Sequence, residues 1–409
     1  MVTLQHSRRS VQIFCFMICC VFLFIKCIDH ESKNDISGIK YEQYAGSSTC
    51  INCHKAIYDS HVQTAHFLTS QRSDQKNIKG SFDPGQNTFS FKPNVYVEAE
   101  KRGALFYQVA YINGTEKMAQ PFDITVGSGK RGQTFLFWRK NNLFQLPLTY
   151  FTSANQWSNS PGYSNKVVFN RPITSRCLEC HSTYFEKISA EDSIKEDFSK
   201  TKIVYGVDCE KCHGPAAQHV DFHQKNPNEK KGRYIIDPRL FTREQSLESC
   251  RLCHGGKLTK SKPSFSFTAG DKLSDFFTMD TTNKAVADID VHGNSYGRLI
   301  ASQCFIKSQM TCNTCHNSHE NETGKLAVFS QRCMGCHTEK NGNFCKEKAQ
   351  VGNKIVQNCI DCHMPELPSK AIMVLLQGND LPTSASMRSH FIAVYPEETK
   401  KYLLLNKMK

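Results

Sequence analysis

The chain has 409 residues, of which 39% are hydrophobic and twenty are cysteines, and its formal net charge is +13. That length would hold two or three ordinary domains, but the apolar share is too lean to fill thick aliphatic cores throughout. The basic surplus raises nucleic acid or anionic lipid as partners, and the cysteines raise disulfides, metals or a covalent cofactor.

The N-terminus reads as an export signal. Arg8 and Arg9 precede an uncharged apolar run at residues 11–25, which Lys26 and the acidic stretch 29–35 bring to an end. Such a run is short for a membrane span, which needs about twenty residues, and suits the apolar region of a signal peptide. Cleavage before Cys27 would make a lipoprotein with Cys27 as the acylated residue. Lys26 is awkward at that junction, so plain secretion and an uncleaved anchor stay open beside it.

From residue 50 the pattern C-x-x-C-H recurs seven times. The cysteine pairs are Cys50 and Cys53, Cys177 and Cys180, Cys209 and Cys212, Cys250 and Cys253, Cys312 and Cys315, Cys333 and Cys336, and Cys359 and Cys362. The histidines that follow them are His54, His181, His213, His254, His316, His337 and His363. This spacing suits covalent c-type haem: two thiols add to the porphyrin vinyl groups and the adjacent imidazole reaches the iron as proximal ligand. Zinc knuckles also use C-x-x-C, but they do not require a histidine after every second cysteine. Seven covalent haems c are therefore expected, with roughly 55 residues to each. Fourteen cysteines are so used and four more lie in the N-terminal signal region, which leaves Cys304 and Cys345 as a disulfide or as two separate thiols.

In chain order, residues 41–75 carry the first motif on a helical pattern, followed by His61 and His66. Being five apart, those two cannot face one iron from a single helix. Residues 81–164 hold no Cys or His and are dense in aromatic and β-branched residues. LFYQVAY at 105–111 runs into Asn113-Gly114, a hairpin signal, and strand patterns recur at 134–138 and 143–146. The expectation is a small antiparallel β module of four to six strands. GSGKRG at 127–132 matches G-x-G-x-x-G, but a strand pattern follows where a nucleotide-binding helix is needed, and no acidic residue lies about twenty positions on. A glycine-rich hairpin loop is the better reading. Lys130 and Arg131 within it are by default solvated.

Residues 170–260 hold the second, third and fourth motifs, with His219 and His223 one helical turn apart beside the third. Residues 261–300 end near the isolated His292. The last three motifs fall inside 52 residues. There His319, three residues beyond His316, cannot reach the opposite face of the same iron and should reach a neighbouring one. The haem-free tail contributes His390, expected to fold back as a distal ligand. His61, His66, His219, His223, His292, His319 and His390 thus match seven irons one to one. The count favours six-coordinate haems without settling which of the close pairs ligate.

The expected fold is mainly α with extensive irregular structure, its haems stacked, carrying the small antiparallel β module as an insertion. The expected segments are a signal over 1–26, a single-haem segment over 27–80, the β-rich insertion over 81–168, a six-haem core over 169–370 and a tail over 371–409. Removing residues 1–26 leaves a charge of +10. Two propionates and one net positive charge per ferric haem then bring the oxidised protein to about +3. Nucleic acid is excluded as a partner on that ground.

At its motifs the chain resembles a bacterial multihaem cytochrome c family that includes the tetrahaem electron carrier of nitrification and hydroxylamine oxidoreductase. The resemblance lies in YAGS at 44–47 running to His54, with Ser60, His61 and His66, and in GVDC at 206–209 with CHGPA at 212–216 and His219. It continues in SQCF at 302–305 with Cys312 to His319, and in CIDCHMP at 359–365. It implies a largely helical haem-stacked fold, mostly bis-histidine irons, and electron transfer in nitrogen or anaerobic respiratory metabolism. Ammonia-forming nitrite reductases of the wider group carry Lys in place of one proximal His, whereas all seven motifs here end in His. The catalytic tyrosine of hydroxylamine oxidoreductase has no assignable counterpart.

The resulting expectation is an exported heptahaem carrier, periplasmic or on the outer cell surface and tethered to the membrane. Its redox partners would be a quinol-side donor and a terminal reductase or extracellular acceptor. The alternative is a reductase of small oxyanions such as nitrite, hydroxylamine or tetrathionate, with one five-coordinate haem.

Overall fold

The computed structural model describes residues 38–163, 166–280 and 284–407. The expected signal and Cys27 lie outside these residues. The first motif rides on α1 (Ser47–His61), after which the chain turns to strands: β1 (Ser70–Arg72), β2 (Thr88–Lys92), β3 (Val95–Arg102), β4 (Leu105–Ile112), β5 (Thr115–Pro121), β6 (Ile124–Val126), β7 (Gly132–Arg139), β8 (Asn142–Gln145), β9 (Leu148–Phe151), β10 (Gln156–Asn159) and β11 (Arg171–Pro172).

Strands β2 to β5 form an antiparallel meander in sequence order. The turn between β4 and β5 is made by Asn113 and Gly114, both with positive φ, 52° and 72°, the conformation that matches strand twist in a two-residue hairpin. The other seven strands make a second sheet, ordered β1-β6-β7-β8-β11, with β9 on β7 and β10 on β9. The glycine-rich 127–132 stretch is the loop from β6 to β7, strands paired Val126 to Thr134, and no helix follows it.

The seven-stranded sheet is buried on both faces, and that explains its sequence. On one side Phe135, Phe137, Leu148, Tyr150 and Trp157 pack with Phe89, Val97 and Phe106 of the meander. On the other, Ile124, Leu136 and Leu143 join a second core with residues beyond β11, among them Leu178, Phe185 and Phe198. Phe135, Leu136 and Phe137 are consecutive and all at most 2% exposed, because alternate side chains enter different cores. Gln108 of β4, itself fully buried, stitches the sheets together. Its amide donates to Leu148 O at 2.9 Å and its carbonyl accepts from Leu148 N at 2.7 Å.

Beyond β11 the helices that carry or flank the motifs are short: α2 (Ser175–His181), α3 (Cys209–His213), the motif-free α4 (Ala217–Lys225), α5 (Arg243–His254), α6 (Leu326–Met334) and α7 (Ile360–His363), with α8 (Pro396–Lys407) at the end. Three further antiparallel hairpins lie between or after them: β12 (Ser182–Lys187) with β13 (Phe198–Tyr205), β14 (Leu258–Lys260) with β15 (Phe277–Met279), and β16 (Glu366–Val374) with β17 (Thr383–Arg388).

The expectation of a mainly α fold with one small β insertion is therefore overturned. The described residues form a mixed α/β fold with seventeen strands in five sheets. The physical reason is that C-x-x-C-H demands only about one helical turn, so the motifs mark short helices and do not dictate what lies between them. Nor is the β structure a detached module. β1 precedes and β11 follows the stretch read as an insertion, and the C-terminal segment docks on it, with Leu375 N donating to Asn159 Oδ1 at 2.6 Å and Ser90 N to Gln377 Oε1 at 2.8 Å.

Candidate haem centres

Each motif is held where a helix or tight turn ends. His181, His213, His254 and His363 are the last residues of α2, α3, α5 and α7. His54 breaks the regular path of α1, with φ −116° and ψ 36°. The fifth motif starts on the short 3₁₀ turn Cys312–Thr314, and the sixth runs off the end of α6. Three proximal rings have Nδ1 fixed by a backbone carbonyl: His213 to Ile236 O at 3.0 Å, His337 to Asn343 O at 3.1 Å and His363 to Ala393 O at 2.9 Å. A carbonyl can only accept, so Nδ1 carries the proton and Nε2 is left with its lone pair, the arrangement of a metal-ligating histidine.

The rings are also kept neutral. Burial pushes His181, His254 and His390 down to about 4, and lowers His66, His292, His316 and His319. Neutral imidazole is the ligating form. Two nitrogens, His223 Nε2 and His390 Nδ1, are buried with no hydrogen-bond partner among the described residues, a costly state for a polar atom that no metal uses.

Distances between rings supply the sharpest fit to iron. Two imidazoles bound to one metal at about 2 Å each would hold their centroids about 6 Å apart. His66 and His254 lie 6.2 Å apart, His316 and His390 6.2 Å, and His213 and His319 6.1 Å with planes only 14° from parallel. Each pair joins a motif histidine to a candidate distal one. His292 lies near enough to His181 for the two to repel when charged. His219 and His223 sit together on α4, centroids 4.6 Å apart, with His219 Nδ1 donating to Arg233 O at 2.8 Å. His61 is different. It is 6% exposed, and its nitrogens approach Ser318 O and Val207 O, each at 3.2 Å.

Motifs distant in sequence meet through their thiols. Cys50 lies beside Cys209, Cys180 beside Cys253, Cys250 beside Cys312 and Cys333 beside Cys359, close enough for each thiol to shift its neighbour's titration. All sixteen described cysteines are free, Cys304 and Cys345 included. Among the described residues no three His, Cys, Asp or Glu side chains converge as a metal cage, which a four-ligand zinc site would need. The residues fit haem.

The sequence reading missed the polar groups that lock these meetings. Glu210, inside the third motif, accepts from Ala45 N, Gly46 N and Ala216 N, each at 2.8 Å, and so clamps the start of α1. Arg176 donates to Leu252 O at 2.6 Å across α2 and α5, and Arg332 to Cys315 O at 2.7 Å between the fifth and sixth motifs. An acidic residue inside or next to C-x-x-C-H was the available signal: Glu179, Glu210, Glu248 and Asp208 are all at most 5% exposed. Lys130 and Arg131 are not simply solvated. Lys130 donates to Asn321 Oδ1 at 2.6 Å, and Arg131 pairs with Glu366 at 3.3 Å.

Comparisons with known proteins point to the class of protein. A family model described as cytochrome c554 and c-prime matches residues 149–214, which contain the second and third motifs. The multihaem cytochrome MtrA of Shewanella baltica (strain OS185) is 26% identical over 196 residues, 43% of this chain and 56% of that protein, so the chain spans little more than half that relative's length. The crystal structure of the outer cell wall cytochrome OcwA shares the fold, with TM-score 0.53 and 16% identity over 88% of this chain and 81% of that one. Motifs, paired rings and likenesses together define a multihaem cytochrome of the c type. They reach that class and do not single out the nitrification and hydroxylamine-oxidising subgroup which the motifs resemble.

Proposed function

We propose that the chain is an exported heptahaem electron carrier, passing electrons between closely packed, mostly bis-histidine haems. The observation that carries this reading is the set of three motif-to-distal imidazole pairs at 6.1 to 6.2 Å. Each pair holds residues from distant parts of the sequence, so each candidate iron would tie two segments together. Haem supplies the one-electron chemistry when bound. The chain's own part is to hold neutral rings in place, bring thiol pairs of different motifs into contact, and set burial and charge around each centre. Buried carboxylates beside the motifs favour the oxidised, more positive haem and so pull potentials down.

The reading includes outward export through the signal at 1–26, with Cys27 as the lipid attachment point, and a location at the periplasmic side or outer cell surface. Its partners would be a quinol-side donor and a terminal reductase or extracellular acceptor. The oxyanion-reductase alternative has no observation of its own to carry it. The test is potentiometric titration of the purified protein followed by absorbance. Reversible reduction and reoxidation spread over a wide potential range is expected; haem that is reduced by dithionite but reoxidised by no acceptor would contradict the carrier reading.

A further inference from the structure

The glycine-rich stretch 127–132 leads into a strand and not into the helix of a nucleotide site, and its side chains reach elsewhere in the chain. The loop is anchored on the seven-stranded sheet. Thr152, just after β9, donates from its hydroxyl to Gly129 O at 2.7 Å and from its amide to Arg131 O at 3.1 Å. Gly129 has φ +81°, and a Cβ there would come within 2.7 Å of Lys79 Cγ, so this path suits glycine. From that anchored turn Lys130 Nζ donates to Asn321 Oδ1 at 2.6 Å and also to Thr323 Oγ1.

Asn321 and Thr323 belong to the segment that follows the fifth motif and carries His319. Ser60 Oγ of α1 holds the same segment by donating to His319 O at 2.8 Å. Glu322, 7% exposed, accepts from Asn317 N at 2.9 Å and pairs with Arg332 of α6. Lys130 completes the hold from the side of the sheet. Between these contacts His319 stands 6.1 Å from His213, with ring planes 14° apart. The corresponding angles are 33° for His316 with His390 and 61° for His66 with His254. We propose that Lys130 is a positioning residue, fixing the 317–323 segment so that the His319 imidazole stays nearly parallel to that of His213. The inference rests on reading these two rings as axial ligands of one haem. It gives the sheet, which brings no Cys or His of its own from 81–164, a part in shaping a redox centre.

The experiment is electron paramagnetic resonance of the full oxidised holoprotein. The g values of a low-spin ferric iron with two axial imidazoles depend on the angle between the ring planes, so the nearly parallel pair has a signal of its own. His319→Ala should remove that signal and so identify it. Lys130→Ala should shift its g values and leave those of the other centres in place. Arg131→Ala cuts the contact from the same loop to Glu366, beyond the seventh motif, and should leave the signal unchanged. An unshifted signal in Lys130→Ala would overturn the proposal even if the melting temperature falls, and so would the same shift in Arg131→Ala. Should Lys130→Ala fail to accumulate with its haem, the double change Asn321→Ala and Thr323→Val removes the same contact from the other side and is read in the same way. A signal that shifts as expected in a protein that no acceptor reoxidises would end the carrier reading and leave this one standing.

Discussion

Gly206 and Glu210 show how single residues set the meeting of the first and third motifs. Gly206 has φ +65°, and a Cβ there would come within 2.0 Å of Phe67 O, a backbone atom that cannot swing aside. Gly206→Ala should destabilise the protein by about 1–3 kcal/mol through strain at that φ alone, and more through the clash; an unchanged melting temperature would count against the packing described. Glu210→Gln keeps one acceptor oxygen but turns an NH₂ toward backbone donors, leaving a buried N–H without a partner. A loss of about 1–3 kcal/mol, read by thermal unfolding at equal haem content, is expected. Acid acts through the histidines. Burial holds His181, His254 and His390 at about 4, below the ordinary imidazole value of 6.5. A depressed folded-state value means the stabilisation is complete above 6.5 and is lost as pH falls from there toward 4. Neutral down to that range, these rings stay in the form that can ligate iron.

Among the elements, the two facing sheets carry the largest apolar core, and Trp157 is its centre. Trp157 is 1% exposed, and its indole N–H donates to Ser81 O at 2.7 Å. Trp157→Ala should cost about 3–5 kcal/mol, measured by denaturant unfolding. Gln108→Leu would strip both partners from Leu148 and cost about 1–3 kcal/mol, whereas a neutral result would mean that the two sheets do not depend on that amide. The hairpin at 113–114 was legible because Asn-Gly favours two consecutive positive φ values. Strands β12 to β17 were not legible. β14 and β15 are only three residues long, and β12, β14 and β16 follow motifs whose helical turn invites a longer helix than forms. Leu136 lying between Phe135 and Phe137 also hid its period, since a sheet buried on both faces loses alternation.

For the molecule as a whole, the motifs were readable and the tertiary meetings of their histidines were not. Each C-x-x-C-H gathers its candidate groups in five consecutive residues, so candidate attachment sites could be proposed from spacing alone. A distal ligand is fixed by tertiary approach: His66 meets His254, and His319 meets His213, through folding that no local pattern encodes. His61 has the same sequence credentials as His66, yet it lies between two carbonyls. The charge balance belongs to this scale too. A chain at +13 that loses residues 1–26 and carries seven haems would stand at about +3 when oxidised, which fits a carrier that docks reversibly and has no need of a polyanion. The most direct test of the central claim is the intact mass of the exported, purified protein. Seven haem additions on a single chain is the result expected here; a mass short of that, with a motif left as free thiols, would contradict it.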